Sequence, residues 1–463
     1  MEKKNKTKKS DIAIITIEIL IGVVFFAIGG ARTILFKDSD RFIIWSYVSA
    51  GQRRMYILYP GLLKLCRIIF GEESYIDAIW WIQSVFAFMA THILARRISV
   101  EYELKGILRI ICFCFLLTPY SFMMPEAAVT HYVFTEGISI SLFYLSWYFM
   151  IGLIQRLNAT DIILMVAVEV LMLFTRTQLI VFLPISIAIL LFTALYRRYF
   201  VGKEKRWCIF CVLLMLLGMF AIHISYNLVA SYMRNGANVS QFVEALSGRT
   251  LTTIGPDTFE YFDGADAEIV AAIYDRMKEE RTSFDDFPES VMDYEDMHVI
   301  INTNTRDSDE VMWEYYRTHR MTENGEDYRS KGRIVSKLMD INRFRFYSIC
   351  MRLMPSSLVA SIFVQPKSIR LICYFTAAVI YACALLLIIV MLFTHMNAKY
   401  RLFLSSVLFS IFVNATFCNL ILYGQQRYVI YCMGLFYVSL MIAFEESCKI
   451  IKSRKVSGLN GSV

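Results

Sequence analysis

The chain has 463 residues, 57% of them hydrophobic and only 19% charged, with a formal net charge of +7. Soluble domains run nearer half apolar and a quarter charged, so this balance excludes an ordinary soluble enzyme and points to a polytopic membrane protein. The small positive excess fits basic cytoplasmic loops and carries no nucleic-acid signal.

The N-terminal "MEKKNKTKKS" is followed by an apolar run to residue 31. That run is long for a signal peptide and no small-residue cleavage site closes it, so it reads as a retained first span. Length and apolarity predict ten spans, at 12–31, 77–95, 107–123, 133–154, 161–176, 178–196, 207–229, 370–394, 402–422 and 428–445. Between the first two lies a charged outer loop, 32–76, whose segment "LYPGLLKLCRIIFG" is too short and too charged to span. Leu62, Leu63, Leu65, Ile68 and Ile69 make an apolar face there with Lys64 and Arg67 off it, the pattern of a helix lying on the membrane surface. Residues 230–369 read as an ectodomain, mostly helical, with apolar periodicity at Ile269, Ile273 and Met277. It closes in a basic, aromatic stretch, "RFRFYSICMRLMPSSLVASIFVQP", suited to the membrane interface. The expected organisation is an all-α fold with a transmembrane catalytic module at 1–229, the extracytoplasmic domain at 230–369, and C-terminal spans with a tail at 370–463.

Basic residues orient the spans. Lys3, Lys4, Lys6, Lys8 and Lys9, then Arg96–Arg97, Arg156, Arg197–Arg198, Lys203, Lys205, Arg206, Lys399, Arg401 and the tail from Lys449 to Lys455 all fall on one side of a ten-span arrangement. The positive-inside rule makes that side cytoplasmic, with both termini on it. Short loops and the lack of a targeting signal fit a bacterial plasma membrane. Most of the eleven cysteines, Cys112, Cys114, Cys208 and Cys211 among them, sit in apolar segments as small hydrophobes, so neither zinc nor thiol redox chemistry is supported.

The outer loop breaks the charge pattern. Arg32, Lys37, Arg41, Arg53 and Arg54 crowd a surface where basic residues are scarce, beside Asp38 and Asp40. Interfacial arginines either snorkel to headgroups or hold an anion, and guanidinium forks suit a phosphate. A carboxylate among such cations stays ionised at neutral pH and, next to a bound phosphate, can accept the proton of an incoming hydroxyl. Further polar groups on the same side are Tyr59 in "LYPG", Glu126, His131 and Glu136 in "PEAAVTHYVFTEG", Arg176 in "LFTRTQ", and Gln425, Gln426, Arg427 and Tyr428 in "GQQRY". Solvated span ends are the plainer explanation for each alone. Glu169 and His223 lie deeper, and no reaction is assigned to them.

These residues, taken in order, resemble the GT-C glycosyltransferases, polytopic enzymes that use polyprenyl-phosphate sugars, and in particular the branch similar to bacterial protein mannosyltransferases and aminoarabinose transferases. The resemblance rests on "DSDRF" (Asp38 to Phe42) after the first span, on "YPGLLKLCRIIFGEESYIDAIWWIQSVFAFMATHILARR" with its Gln83, on the Thr-Glu opening of "FTEGISISLFYLSWYFMIGLI", and on the Arg-Tyr opening of "QRYVIYCMGLFYVSLMIAF". Thr177 stands where the family has a proline, and ten spans fall at the low end for the family.

The resemblance implies an inverting sugar transfer to an extracytoplasmic hydroxyl on a cell-envelope glycan, lipid or protein. Asp38 would be the general base, with Asp40 as second candidate. Arg53, Arg54, Arg176 and Arg427, with Tyr428, would hold the departing lipid phosphate. Tyr59, His131, Glu136 and Gln426 would touch substrate. Some members use a divalent metal; two aspartates without a His or Glu at ligand spacing leave one compatible but not favoured here, and no other cofactor is implied. Two other functions are compatible with the same charges: a transporter or flippase of a lipid-linked or anionic substrate, and an enzyme like the O-antigen ligases and polymerases.

Overall fold

A computed structural model of the protein describes the chain except for residues 1, 31, 37–38, 48–57, 125, 201–204, 234–240, 289–293, 322–325, 364–368, 394–396, 422–425 and 460–463. Among the described residues the structure is all-helical, with eighteen α-helices, several short 3-10 turns and no sheet. It divides into two compact units.

The first unit comprises residues 1–225, 378–411 and 430–463. It opens with α1 (Glu2–Ala27), α2 (Ser39–Tyr47), α3 (Leu58–Phe70), α4 (Tyr75–Glu101) and α5 (Ile107–Leu117). There follow α6 (Glu136–Arg156), α7 (Ala159–Thr175), α8 (Phe182–Phe200) and most of α9 (Lys205–Met233). The second unit, residues 226–377 and 412–429, holds α10 (Gln241–Leu251), α11 (Gly264–Glu279), α12 (Tyr294–Thr318), α13 (Glu326–Ile341) and α14 (Arg343–Ala360). Helices α15 (Arg370–Phe393) and α16 (Ala398–Ile421) contribute residues to both units, α17 (Gln426–Val429) belongs to the second, and α18 (Met433–Leu459) returns to the first.

Seven helices, α4, α6, α8, α9, α15, α16 and α18, are long and apolar enough to cross a bilayer, as expected of a multi-pass membrane protein. They coincide with seven of the ten predicted spans. The other three predicted spans are helical but different in character. Helix α1 carries Asp11 and Glu18, α5 has 11 residues before a 3-10 turn, and α7 has 17.

Helix α6 is the axis of the first unit and packs on both α4 and α7. Ile140, Phe143, Tyr144, Trp147 and Ile151 are all buried. Phe143 meets Phe182 of α8 at 4.7 Å between ring centroids and Tyr431 at 5.7 Å. The Tyr144 hydroxyl donates to the Leu116 carbonyl at 2.6 Å, which satisfies a polar tip that hydrocarbon surroundings would otherwise strand. Helix α18 closes on α5 at Gly434, where an added Cβ would stand 2.6 Å from the Phe115 carbonyl oxygen. Outward faces stay apolar. Leu213, Leu217 and Phe220 on α9, and Leu385, Leu386 and Phe393 on α15, are exposed as lipid-facing residues are.

At the end of this unit where α4 and α6 finish and α7 begins, Glu101 accepts from Arg156 at 3.0 Å and pairs with Arg97 at 3.5 Å, while Lys399 donates to the Glu101 carbonyl at 3.0 Å. These are the basic residues that the charge pattern assigns to the cytoplasmic side. Cys208 and Cys211, spaced as a C-x-x-C pair, are buried and not joined in a disulfide.

In the second unit the periodicity at Ile269, Ile273 and Met277 is the buried face of α11, packed with Leu251, Met312 and Leu338. Arg333 forks onto Asp266 at 3.0 and 3.2 Å and reaches Glu326 at 2.8 Å. Arg249 is buried and donates to Cys350 Sγ at 3.3 Å.

Candidate functional site

The polar residues of interest collect at the other end of the first unit, where α1 and α7 finish and α4 and α6 begin. The organising piece is the segment 126–135. Its fully buried His131 has Nδ1 3.0 Å from the Arg32 carbonyl oxygen, and its Nε2 lies 2.9 Å from the Trp80 indole nitrogen and 2.8 Å from the Phe26 carbonyl oxygen. The Gln83 amide donates to the carbonyls of Thr130 and Tyr132 at 3.1 and 3.0 Å. His131, expected to touch substrate, is therefore a post joining the end of α1 to α4, with both ring nitrogens engaged.

The outer loop is stitched onto this post. Ile34 N–H donates to the His131 carbonyl at 2.7 Å and Val133 N–H to the Ile34 carbonyl at 3.4 Å, a single parallel bridge. Gly29 allows the approach. Its φ of +97° suits only glycine, and a Cβ there would lie 2.6 Å from that of Ala127. Ser39 N–H donates to the Phe36 carbonyl at 2.7 Å, and Ser39 Oγ accepts from Phe36 N–H at 2.8 Å and donates to the Val133 carbonyl at 3.3 Å. Phe42, on the buried face of α2, meets the Tyr59 ring edge-on at 5.3 Å. Ser39 and Phe42 of the "DSDRF" stretch are thus packing residues that fix where α2 starts. Asp40 is exposed in the first turn of α2, while Asp38, Arg53 and Arg54 lie outside the described residues.

Arg67 holds the other end of α2. Its guanidinium stacks 3.7 Å above the Tyr47 ring and donates to the Ser46 carbonyl at 3.1 Å, satisfying one of the acceptors orphaned at a helix C-terminus. Helix α3 buries Tyr59, Leu63 and Cys66 and leaves Leu65, Ile68, Ile69 and Phe70 exposed, so an apolar flank remains for the membrane surface.

Below this loop Glu136, in the first turn of α6, pairs with Arg176, the residue that ends α7. Both side chains are buried, at 2% and 7% exposed. Thr135 Oγ1 accepts from Arg176 at 3.2 Å and donates to Glu136 at 3.1 Å. Such a pair survives burial because each charge is matched and hydrogen-bonded, whereas either charge alone would be costly. The Tyr59 hydroxyl is wholly buried and has no hydrogen-bond partner among the described residues. Burial, and secondly the nearby Glu136 carboxylate, raise it well above the ordinary tyrosine value, so it stays protonated as a donor. Tyr59, Glu136 and Arg176 come from three separate stretches, and the fold brings them together.

The late motif falls in the second unit. Arg427 lies 5.0 Å over the Tyr428 ring and donates to its hydroxyl at 3.1 Å, and Gln426 donates to the Phe363 carbonyl at 2.6 Å. Gln425 is outside the described residues. Among the described residues no group of three His, Cys, Asp or Glu side chains could hold a metal ion.

One cluster has no counterpart in the sequence-based expectations. Glu18 of α1 is fully buried, accepts from Arg109 of α5 at 3.0 and 3.3 Å, and lies 2.7 Å from His92 Nδ1 of α4, with Asp11 at 3.9 Å from Arg109. Its signal in the sequence is one acid and one arginine, each alone within an apolar run, because such charges must find each other in hydrocarbon.

No model of a known protein family, no curated protein and no solved structure matches this chain.

Proposed function

We propose that this protein is a membrane glycosyltransferase that moves a sugar from a polyprenyl-phosphate donor to an acceptor hydroxyl on a cell-envelope glycan, lipid or protein at the extracytoplasmic face. The observation that carries this reading is the gathering of Tyr59, Glu136 and Arg176 beneath the loop that bears Asp38 and Asp40, at the end of the unit opposite the Arg97, Arg156 and Lys399 cluster. In the proposed reaction Asp38, or Asp40 in its place, takes the acceptor's hydroxyl proton as its oxygen attacks the anomeric carbon. The bond from that carbon to the phosphate oxygen breaks with inversion, and the phosphate leaves with the electron pair. Cations of the outer loop, Arg53 and Arg54, would stabilise the charge that develops there.

The buried Glu18–His92–Arg109 cluster favours a second reading, a transporter of a lipid-linked substrate, because intramembrane ionisable groups mark transport pathways. Sealed vesicles loaded with acceptor and given an externally labelled polyprenyl-phosphate sugar separate the two. Label on the acceptor supports the transferase, and intact donor carried across the bilayer supports the transporter.

A further inference from the structure

Two buried polar atoms flank the first turn of α6 without hydrogen-bond partners among the described residues. One is the Tyr59 hydroxyl, whose neighbour is the Glu136 carboxylate. The other is Gln83 Oε1, which lies 2.5 Å from where a Cβ on Gly137 would stand, although the Gln83 nitrogen is fully engaged. A buried donor or acceptor left unmade is destabilising, and it persists where something outside the chain completes it. The pair between them, Glu136 with Arg176, is already neutral. A phosphate entering here would add an anion beside the Glu136 carboxylate in low-dielectric surroundings. An uncharged hydroxyl group suits the place, since it accepts from Tyr59 and donates to Glu136 or Gln83.

We propose that the first turn of α6, with Tyr59, Gln83 and the Glu136–Arg176 pair around it, is a subsite for the neutral hydroxyl groups of a sugar ring and not for a lipid phosphate. The inference rests on the glycosyltransferase reading for the identity of the donor, but not for the chemistry of the subsite. It moves Arg176 from the phosphate-holding role expected of it to that of Glu136's counter-ion.

The test uses the full chain in lipid nanodiscs and three probes: polyprenyl-phosphate glucose, the same polyprenyl phosphate without sugar, and a neutral alkyl glucoside. Tyr59→Phe removes only a hydroxyl that has no partner among the described residues, so it should leave thermal stability unchanged or raised. It should weaken binding of the phospho-sugar and of the alkyl glucoside by about tenfold, one hydrogen bond's worth, and leave the bare phosphate unchanged. Equal weakening for phospho-sugar and bare phosphate would overturn the subsite, and so would no change for any probe. Should the parent bind neither lipid phosphate, the donor assignment fails, and the alkyl glucoside alone decides. A tenfold loss in Tyr59→Phe keeps the sugar subsite, and absence of binding to the parent removes it.

Discussion

Replacing Glu18 with glutamine should destabilise the protein by about 3 kcal/mol, at the low end of what breaking a buried ion pair costs. Glu18 is fully buried and Arg109 nearly so, at 9% side-chain exposure. The charged carboxylate receives two guanidinium bonds, at 3.0 and 3.3 Å, and the His92 contact at 2.7 Å. Glutamine keeps one acceptor oxygen, so part of the bonding survives, but among the described residues the Arg109 charge is left with Asp11, 3.9 Å away and 64% exposed. The double substitution Glu18→Met with Arg109→Met removes both charges together. It should cost less than the single change, because no unmatched charge remains. Equilibrium unfolding in mixed detergent and dodecyl sulfate micelles measures both. A Glu18→Gln variant within about 1 kcal/mol of the parent, or a double variant no better than the single, would refute the claim that α1 is held by matched charge.

Arg67→Ala should free the end of α2, with a loss of about 1–2 kcal/mol from its stacking and carbonyl bond, seen as faster amide hydrogen exchange across 39–47. Gly29→Ala should lower the yield of folded protein sharply, because it combines a left-handed backbone with a collision at Ala127, and exchange should rise across 32–36. In the second unit Tyr315, raised to about 12 by its bond to Glu268, and Tyr316, raised to about 12 by burial, hold protons that the unfolded chain releases near 10. The unfolded state then binds fewer protons, so the stability these two tyrosines contribute is fully present below pH about 10 and is lost between about 10 and 12, which near-ultraviolet circular dichroism of the full chain would follow. A flat profile through that window would contradict both assignments.

The apolar runs made the membrane class and seven helices fit to cross a bilayer legible from the sequence, because a helix that must cross hydrocarbon needs length and apolarity and little else. Helix α3 was legible for a related reason, since its exposed Leu65, Ile68 and Ile69 sit on one face whatever lies beneath. Polar side chains were harder. Tyr59, Glu136 and Arg176 could be named as outward groups, but their meeting depends on how α3, α6 and α7 pack, which no local pattern encodes. His131 shows the converse: a lone histidine before a span reads as a ligand-binding group, and the fold uses both of its nitrogens to hold Arg32 and Trp80. Glu18, His92 and Arg109 went unnoticed because each looks like a tolerated blemish in its own segment, and only the packing of α1, α4 and α5 turns three blemishes into one cluster.

The central proposal is sugar transfer from a lipid phosphate, and release of labelled sugar onto an acceptor tests it most directly. Purified protein and its Asp38→Asn and Asp40→Asn variants would be given a panel of radiolabelled polyprenyl-phosphate sugars, with a membrane extract supplying the acceptor. The account predicts turnover of at least one donor by the parent, retained donor binding in both variants, and loss of turnover in Asp38→Asn. Bound donor that the parent never turns over, with any sugar in the panel, would contradict it.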